Sequence, residues 1–188
     1  KRWDLIFPGT TTKERINMIL NVAKYLQELG RVINVAIISP FVVDGGIDWV
    51  KERINELGLE PSAIHLQKRV PTYEVPRLIQ LSKVGIIPWE NISKLHKNIP
   101  TKLFEYWYCG IPAVVSDLPP CAQFVNRAKG AFLVNPDSIE EFSEKVAYLL
   151  DHPEVATEMA EIGKDFVIKE YNWDVEKIKL KKLYERLK

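Results

Sequence analysis

The sequence predicts an α/β fold of three layers, with helices on both faces of a mostly parallel sheet of about six strands. Apolar runs of strand length at residues 3–7, 32–39, 63–67, 84–88, 112–116 and 131–134 alternate with longer segments of helical period. The run at 32–39 is rich in Ile and Val without polar alternation, the mark of a strand buried on both faces. A length of 188 residues, 46% of them hydrophobic, suits one compact domain and excludes a disordered chain.

Each element has a local reason. Pro8-Gly9 stops the first strand, and a Thr-rich loop leads to a helix whose apolar positions are Ile16, Ile19, Leu20, Ala23 and Leu26. Pro40 closes the second strand. A helix from about Ile47 ends at Gly58, a residue suited to the left-handed position after a helix terminus. The stretch 73–81 reads as a short helix with Pro76 in its first turn, where proline is tolerated. Residues 89–99 show neither period and carry Asn, Ser and Lys, so they read as an exposed loop at the carboxyl end of the fourth strand. A helix from Pro100 to Gly110 follows. Three more close the chain, with apolar sets Ile139, Phe142, Val146, Leu149, Leu150; Val155, Met159, Ile162, Phe166; and Leu180, Leu183, Tyr184, Leu187.

The charge balance of 26 Lys and Arg against 25 Asp and Glu supplies no overall field for nucleic acid, which is not expected as a partner. Cys109 and Cys121 lack metal or redox spacing and are expected to be reduced thiols in a cytoplasmic protein. No metal site is expected, because the three histidines are scattered and Asp117 has no paired carboxylate nearby. No run of 18 apolar residues is present. The chain opens at Lys1 and enters an apolar run within two residues, so a preceding portion is expected.

The most informative segment is Pro100-Thr101-Lys102-Leu103-Phe104-Glu105-Tyr106-Trp107-Tyr108-Cys109-Gly110-Ile111-Pro112, continued by Ala113-Val114-Val115-Ser116-Asp117-Leu118-Pro119. It resembles the nucleotide-sugar signature of the GT4-like glycosyltransferases (glycosyl transferases group 1) in its form P-x-K-x-x-E-Y-x-x-x-G-x-P-V-V-x-S-D. The opening FPGTTTKER is similar to that family's first strand and Gly-rich loop. Lys68-Arg69-Val70-Pro71 resembles its loop under the nucleobase, and Tyr171-Asn172-Trp173 its closing Tyr-Asn-Trp. The resemblance implies a Rossmann-like domain, the C-terminal half of a GT-B fold. Residues 1–170 would form the nucleotide-sugar (donor) domain, and 171–188 a helix packing towards an absent N-terminal acceptor domain.

As activity, the resemblance implies transfer of a sugar, with retention, from a nucleoside diphosphate sugar to an unknown acceptor. That donor is a substrate, and no tightly bound cofactor is implied. In the family, the glutamate matching Glu105 holds both ribose hydroxyls; on residues alone, a Lys102–Glu105 surface pair of about 0.3–0.5 kcal/mol is the competing reading. The diphosphate would lie at Gly9 and Thr10, with Arg15 matching the family's phosphate-binding cation and Lys102 assisting. Arg15 is otherwise a solvated helix residue. Thr101 either donates to phosphate or simply caps its helix. Val70 would approach the base.

Two positions depart from the family: Thr10 stands where an Arg often follows the Gly, and Lys97 where many members carry a sugar-contacting glutamate. No catalytic residue is assigned. The departures keep two alternatives open, a non-catalytic nucleotide-sugar-binding module and a GT-B nucleotide-sugar epimerase. The lysine-rich last helix reads as a solvated face, and peripheral membrane association of the full-length protein is its other reading.

Overall fold

Parallel pairing throughout the sheet follows from the apolar character of its strands, which no polar alternation marks for exposure on one side. The computed structural model describes residues 1–187. The strands are Trp3–Pro8 (β1), Val35–Ile38 (β2), Ile64–Gln67 (β3), Ser82–Ile87 (β4), Ala113–Ser116 (β5) and Ala131–Val134 (β6). They lie in the order β3-β2-β1-β4-β5-β6, and every neighbouring pair is parallel. The helices are Lys13–Glu28 (α1), Gly46–Glu56 (α2), Val75–Gln80 (α3), Thr101–Tyr108 (α4), Pro119–Ala128 (α5), Ile139–Asp151 (α6), Pro153–Glu170 (α7) and Trp173–Glu185 (α8).

Alternate residues of every strand but β3 feed two separate cores; β3 gives Ile64 and Leu66 to the first. Leu5, Phe7, Val35, Ile37, Val84 and Ile86 pack against α1, α2 and α6. Ile6, Ala36, Ile38, Ile87, Ala113 and Val115 face the opposite layer, built from α3, α4, α5 and α7. This is the Rossmann-like three-layer arrangement expected for the C-terminal half of a GT-B fold. Every apolar position expected to face inward from α1 is buried.

Three expectations need correction. The second strand is shorter than 32–39, because Val32 is 57% exposed and pairing with β1 begins at Val35. Helix α5 was not expected: Pro119 and Pro120 resemble breakers, but both sit in its first turn, where a helix needs no N–H donor. The segment 89–99 is only partly an exposed loop. Trp89 and Leu95 are buried, and Leu95–Lys97 forms a single 3-10 turn.

Helix α8 has no buried residue; Leu180, Leu183 and Tyr184 on it, and Leu187 after it, are exposed. Among the described residues no helix is long and apolar enough to cross a membrane.

Candidate functional site

The strand order reverses between β1 and β4, and ligands of open α/β sheets bind in the crevice at such a switch point, outside the carboxyl ends of the strands. The chain leaves β1 through Gly9 and β4 through Trp89-Glu90. A cavity of about 390 Å³ opens on the β1 side of this point, at the carboxyl ends of β1 and β2, between the Gly9-Thr10 turn, the segment from Arg69 to Ile79, and the outward face of α4. Gly9, Thr10, Val70, Lys102 and Glu105 all line it.

Helix α4 is held by the two residues after Glu105. Tyr106 is fully buried, and its hydroxyl donates towards the carbonyls of Ile6 (3.2 Å) and Ile86 (3.1 Å), on the two strands flanking the switch point. The ring lies so close to the sheet that a Cβ on Gly85 would fall 2.4 Å from it. Trp107, also fully buried, donates from Nε1 to the Gly130 carbonyl at 2.7 Å. With these side chains directed inward, the 100° helical step carries Lys102, Glu105 and Tyr108, spaced three apart, onto the cavity side.

The electrostatics of that face are unusual. Glu105 is exposed, and its carboxylate takes part in no hydrogen bond or ion pair among the described residues. The competing reading, a surface pair with Lys102, does not form at ion-pair distance. Lys102 is half-buried and likewise unpaired, and its ammonium lies 5.7 Å from the Phe7 ring centre. Burial pulls its pKa below the ordinary lysine value; Glu105 opposes that shift and Arg15 adds to it. Gly9, at φ +151°, takes a backbone conformation that L side chains rarely adopt, and the flexible end of Lys102 lies over the space a Cβ would occupy. An unpaired, partly desolvated cation beside a bare backbone turn is what an anion site requires.

The other expected site residues lie differently. Arg15 does not line the cavity. It donates from Nε (3.0 Å) and Nη2 (2.9 Å) to Glu90 Oε2, and from Nη1 to the Thr10 carbonyl (3.3 Å). Thr101 is exposed, away from the cavity wall, and does not cap α4, whose N-cap is Pro100. Thr11 is buried and bonded to Ser39, so of the threonines in this turn only Thr10 lines the cavity.

Trp89 is a packing residue: it is 8% exposed, and Ser116 Oγ donates to its carbonyl at 2.8 Å. His96 is exposed and bonded to Asn91. Tyr108 and Glu90 were not singled out from the sequence. Helical spacing from Glu105 would have flagged Tyr108, whereas no motif marks Glu90, which reaches Arg15 only through the fold.

The family model described as glycosyl transferase-like matches residues 15–176. The chain belongs to this family. No curated protein matches the sequence. Among solved structures, a glycosyltransferase from Rickettsia africae ESF-5 is similar at TM-score 0.81 and 15% identity, over 97% of this chain and 47% of that one. HepE of Anabaena in complex with UDP follows at TM-score 0.79 and 10% identity, over 98% and 49%. TarM of S. aureus is similar at TM-score 0.78 and 16% identity, over 98% and 35%. The chain therefore spans about a third to a half of the length of these structures, and at such identities the likeness shows the fold alone.

Proposed function

We propose that this family member is the donor-binding half of a glycosyltransferase that moves a sugar from a nucleoside diphosphate sugar to an acceptor held by another domain. One observation carries the reading: a cavity at the carboxyl edge of the sheet with an unpaired carboxylate, Glu105, and an unpaired half-buried ammonium, Lys102, on the same wall. A nucleoside diphosphate has complementary groups, a ribose diol to donate to a carboxylate and phosphates to meet a cation.

In this reading Glu105 holds the ribose, Val70 and Arg69 border the base, and Lys102 with the Gly9-Thr10 turn receives the diphosphate. When the bond from the sugar carbon to the diphosphate oxygen breaks, negative charge grows on the departing phosphate. The Lys102 ammonium, poorly solvated before the reaction, stabilises that charge. UDP is the first donor nucleotide to test, because HepE was solved with it. Retention at the sugar carbon and membership of the GT4 subfamily belong to the same proposal. So does a second domain closing over the cavity, which the greater length of the similar structures supports.

Titration calorimetry of the chain with UDP, GDP and ADP tests the reading. Binding by at least one of them is expected, and Glu105→Ala should weaken it by about 1.5–3 kcal/mol, the scale of hydrogen bonds to a charged group. No binding by any of the three at millimolar ligand would overturn the proposal. A binding module without turnover is the second reading, favoured by Lys97 in place of the family's sugar-contacting acid. A product assay on the longer protein separates the two.

A further inference from the structure

The anion-binding groups at the start of α1 are already occupied, and the occupant is a side chain. Glu90 Oε2 accepts from Arg15 Nε and Nη2, and its Oε1 accepts from Thr12 Oγ1 at 2.5 Å. Thr12 is the N-cap of α1, its hydroxyl accepting from the Arg15 backbone N–H at 3.2 Å. A guanidinium, a hydroxyl and a helix amino end form the set that holds a phosphate oxygen. A carboxylate offers the same charge sign and the same acceptor atoms. The pair is sheltered, with side-chain exposures of 14% for Arg15 and 18% for Glu90, so it is screened less than the surface ion pairs of this chain.

We propose that Glu90 is a built-in competitor of the donor's diphosphate: it holds Arg15 in the empty domain, and the diphosphate gains Arg15 only by displacing it. The inference rests on reading the cavity beside α4 as the donor site. The geometry permits the exchange. Arg15 is already tethered to the carbonyl of Thr10, a residue of the cavity wall, and its charge is felt at Lys102.

Glu90 can also leave. It is followed by four exposed residues, Asn91 to Lys94, while Trp89 behind it is fixed by Ser116. The carboxylate can therefore turn to solvent without moving the buried anchor. Two consequences follow. Affinity for the diphosphate is set below what Arg15 and Lys102 together would permit. A carboxylate waiting to retake Arg15 also helps the spent nucleotide depart.

The test is calorimetry on the chain with UDP, GDP and ADP, followed by the parent nucleoside of whichever diphosphate binds. Glu90→Gln should tighten the diphosphate roughly tenfold, the low end of what a charge-assisted bond contributes, and leave the nucleoside unchanged. Arg15→Met should cost more affinity in the Glu90→Gln background than in the wild type, because only there is the guanidinium free beforehand. Thermal melts accompany each variant. Glu90→Ala should show the same tightening if Glu90→Gln proves unstable.

Diphosphate affinity that falls or stays constant in both Glu90 variants overturns the inference and leaves the donor-site reading intact. An equal change for diphosphate and nucleoside also overturns it, since that marks a purely structural role. If no diphosphate binds the wild type or either variant, the donor-site reading itself fails, and the inference with it.

Discussion

The two sides of α4 show how one short helix serves structure and binding at once. Tyr106 and Trp107 are fully buried, and both spend their polar atoms on backbone carbonyls of the sheet layer. Lys102 and Glu105, a few residues earlier, leave their charges unpaired towards a cavity. Buried polar groups are normally satisfied, and charges that remain unpaired beside a concave surface are the ones available to a ligand. Substitutions on the inner side should therefore change stability, and those on the outer side affinity.

The sharpest break of that division comes at Trp107. Its indole fills the space between Gly130 and Gly163, both too close to carry a Cβ. Trp107→Ala should lower stability by about 3–5 kcal/mol through the cavity it leaves, visible as a fall in the urea midpoint. On the opposite side, Glu105→Ala should shift the melting temperature hardly at all while weakening the nucleoside diphosphate, because exposed positions without partners seldom matter for folding. A large stability loss at Glu105 would erase the distinction.

Tyr106→Phe sharpens the same comparison at smaller scale. It keeps the ring against Gly85 and removes only the hydroxyl bonded to Ile6 and Ile86. About 1–3 kcal/mol of stability should be lost, since two buried carbonyls lose their side-chain donor, as measured by chemical denaturation. Nucleotide affinity should move only as far as α4 itself shifts.

How much of this was legible in the sequence differs between the two sides. The periodicity marked the inward residues of α1, and the strand runs marked the sheet, because burial imposes a repeating pattern. The motif around Glu105 was equally readable, since Lys102 and Glu105 lie on one helix face. Arg15 was not: whether its guanidinium is free depends on Glu90, 75 residues away in sequence and brought near by the β1–β4 pairing. Thr101 failed as a cap for a local reason, because α4 begins after Pro100 with no side-chain acceptor. Helix α5 was hidden by its own prolines, which signal a break unless the first turn is recognised. Contacts within one element leave a trace in spacing, whereas contacts between elements leave none.

The two cysteines extend the comparison to the smallest effect. Cys109 follows α4 at the cavity, and Cys121 is fully buried in α5. Burial, with Glu105 adding to it, pushes the Cys109 thiol up to about 11; burial, with Asp117 adding to it, pushes Cys121 up to about 12. In both, the folded chain keeps its proton longer than the unfolded chain, whose thiols ionise near 9. The stabilisation is therefore complete below about pH 9 and is lost as pH rises towards 11 for Cys109 and 12 for Cys121. Urea midpoints followed from pH 8 upward should fall less steeply for Cys121→Ala than for the wild type. At pH 8 a thiol-alkylating reagent should label the folded chain slowly at Cys109 and more slowly at Cys121. A bound nucleoside diphosphate should protect Cys109 alone, because only that thiol lines the cavity. Equal protection of both cysteines would mean that the ligand tightens the whole domain, and the division between the two sides of α4 would then be one of packing only.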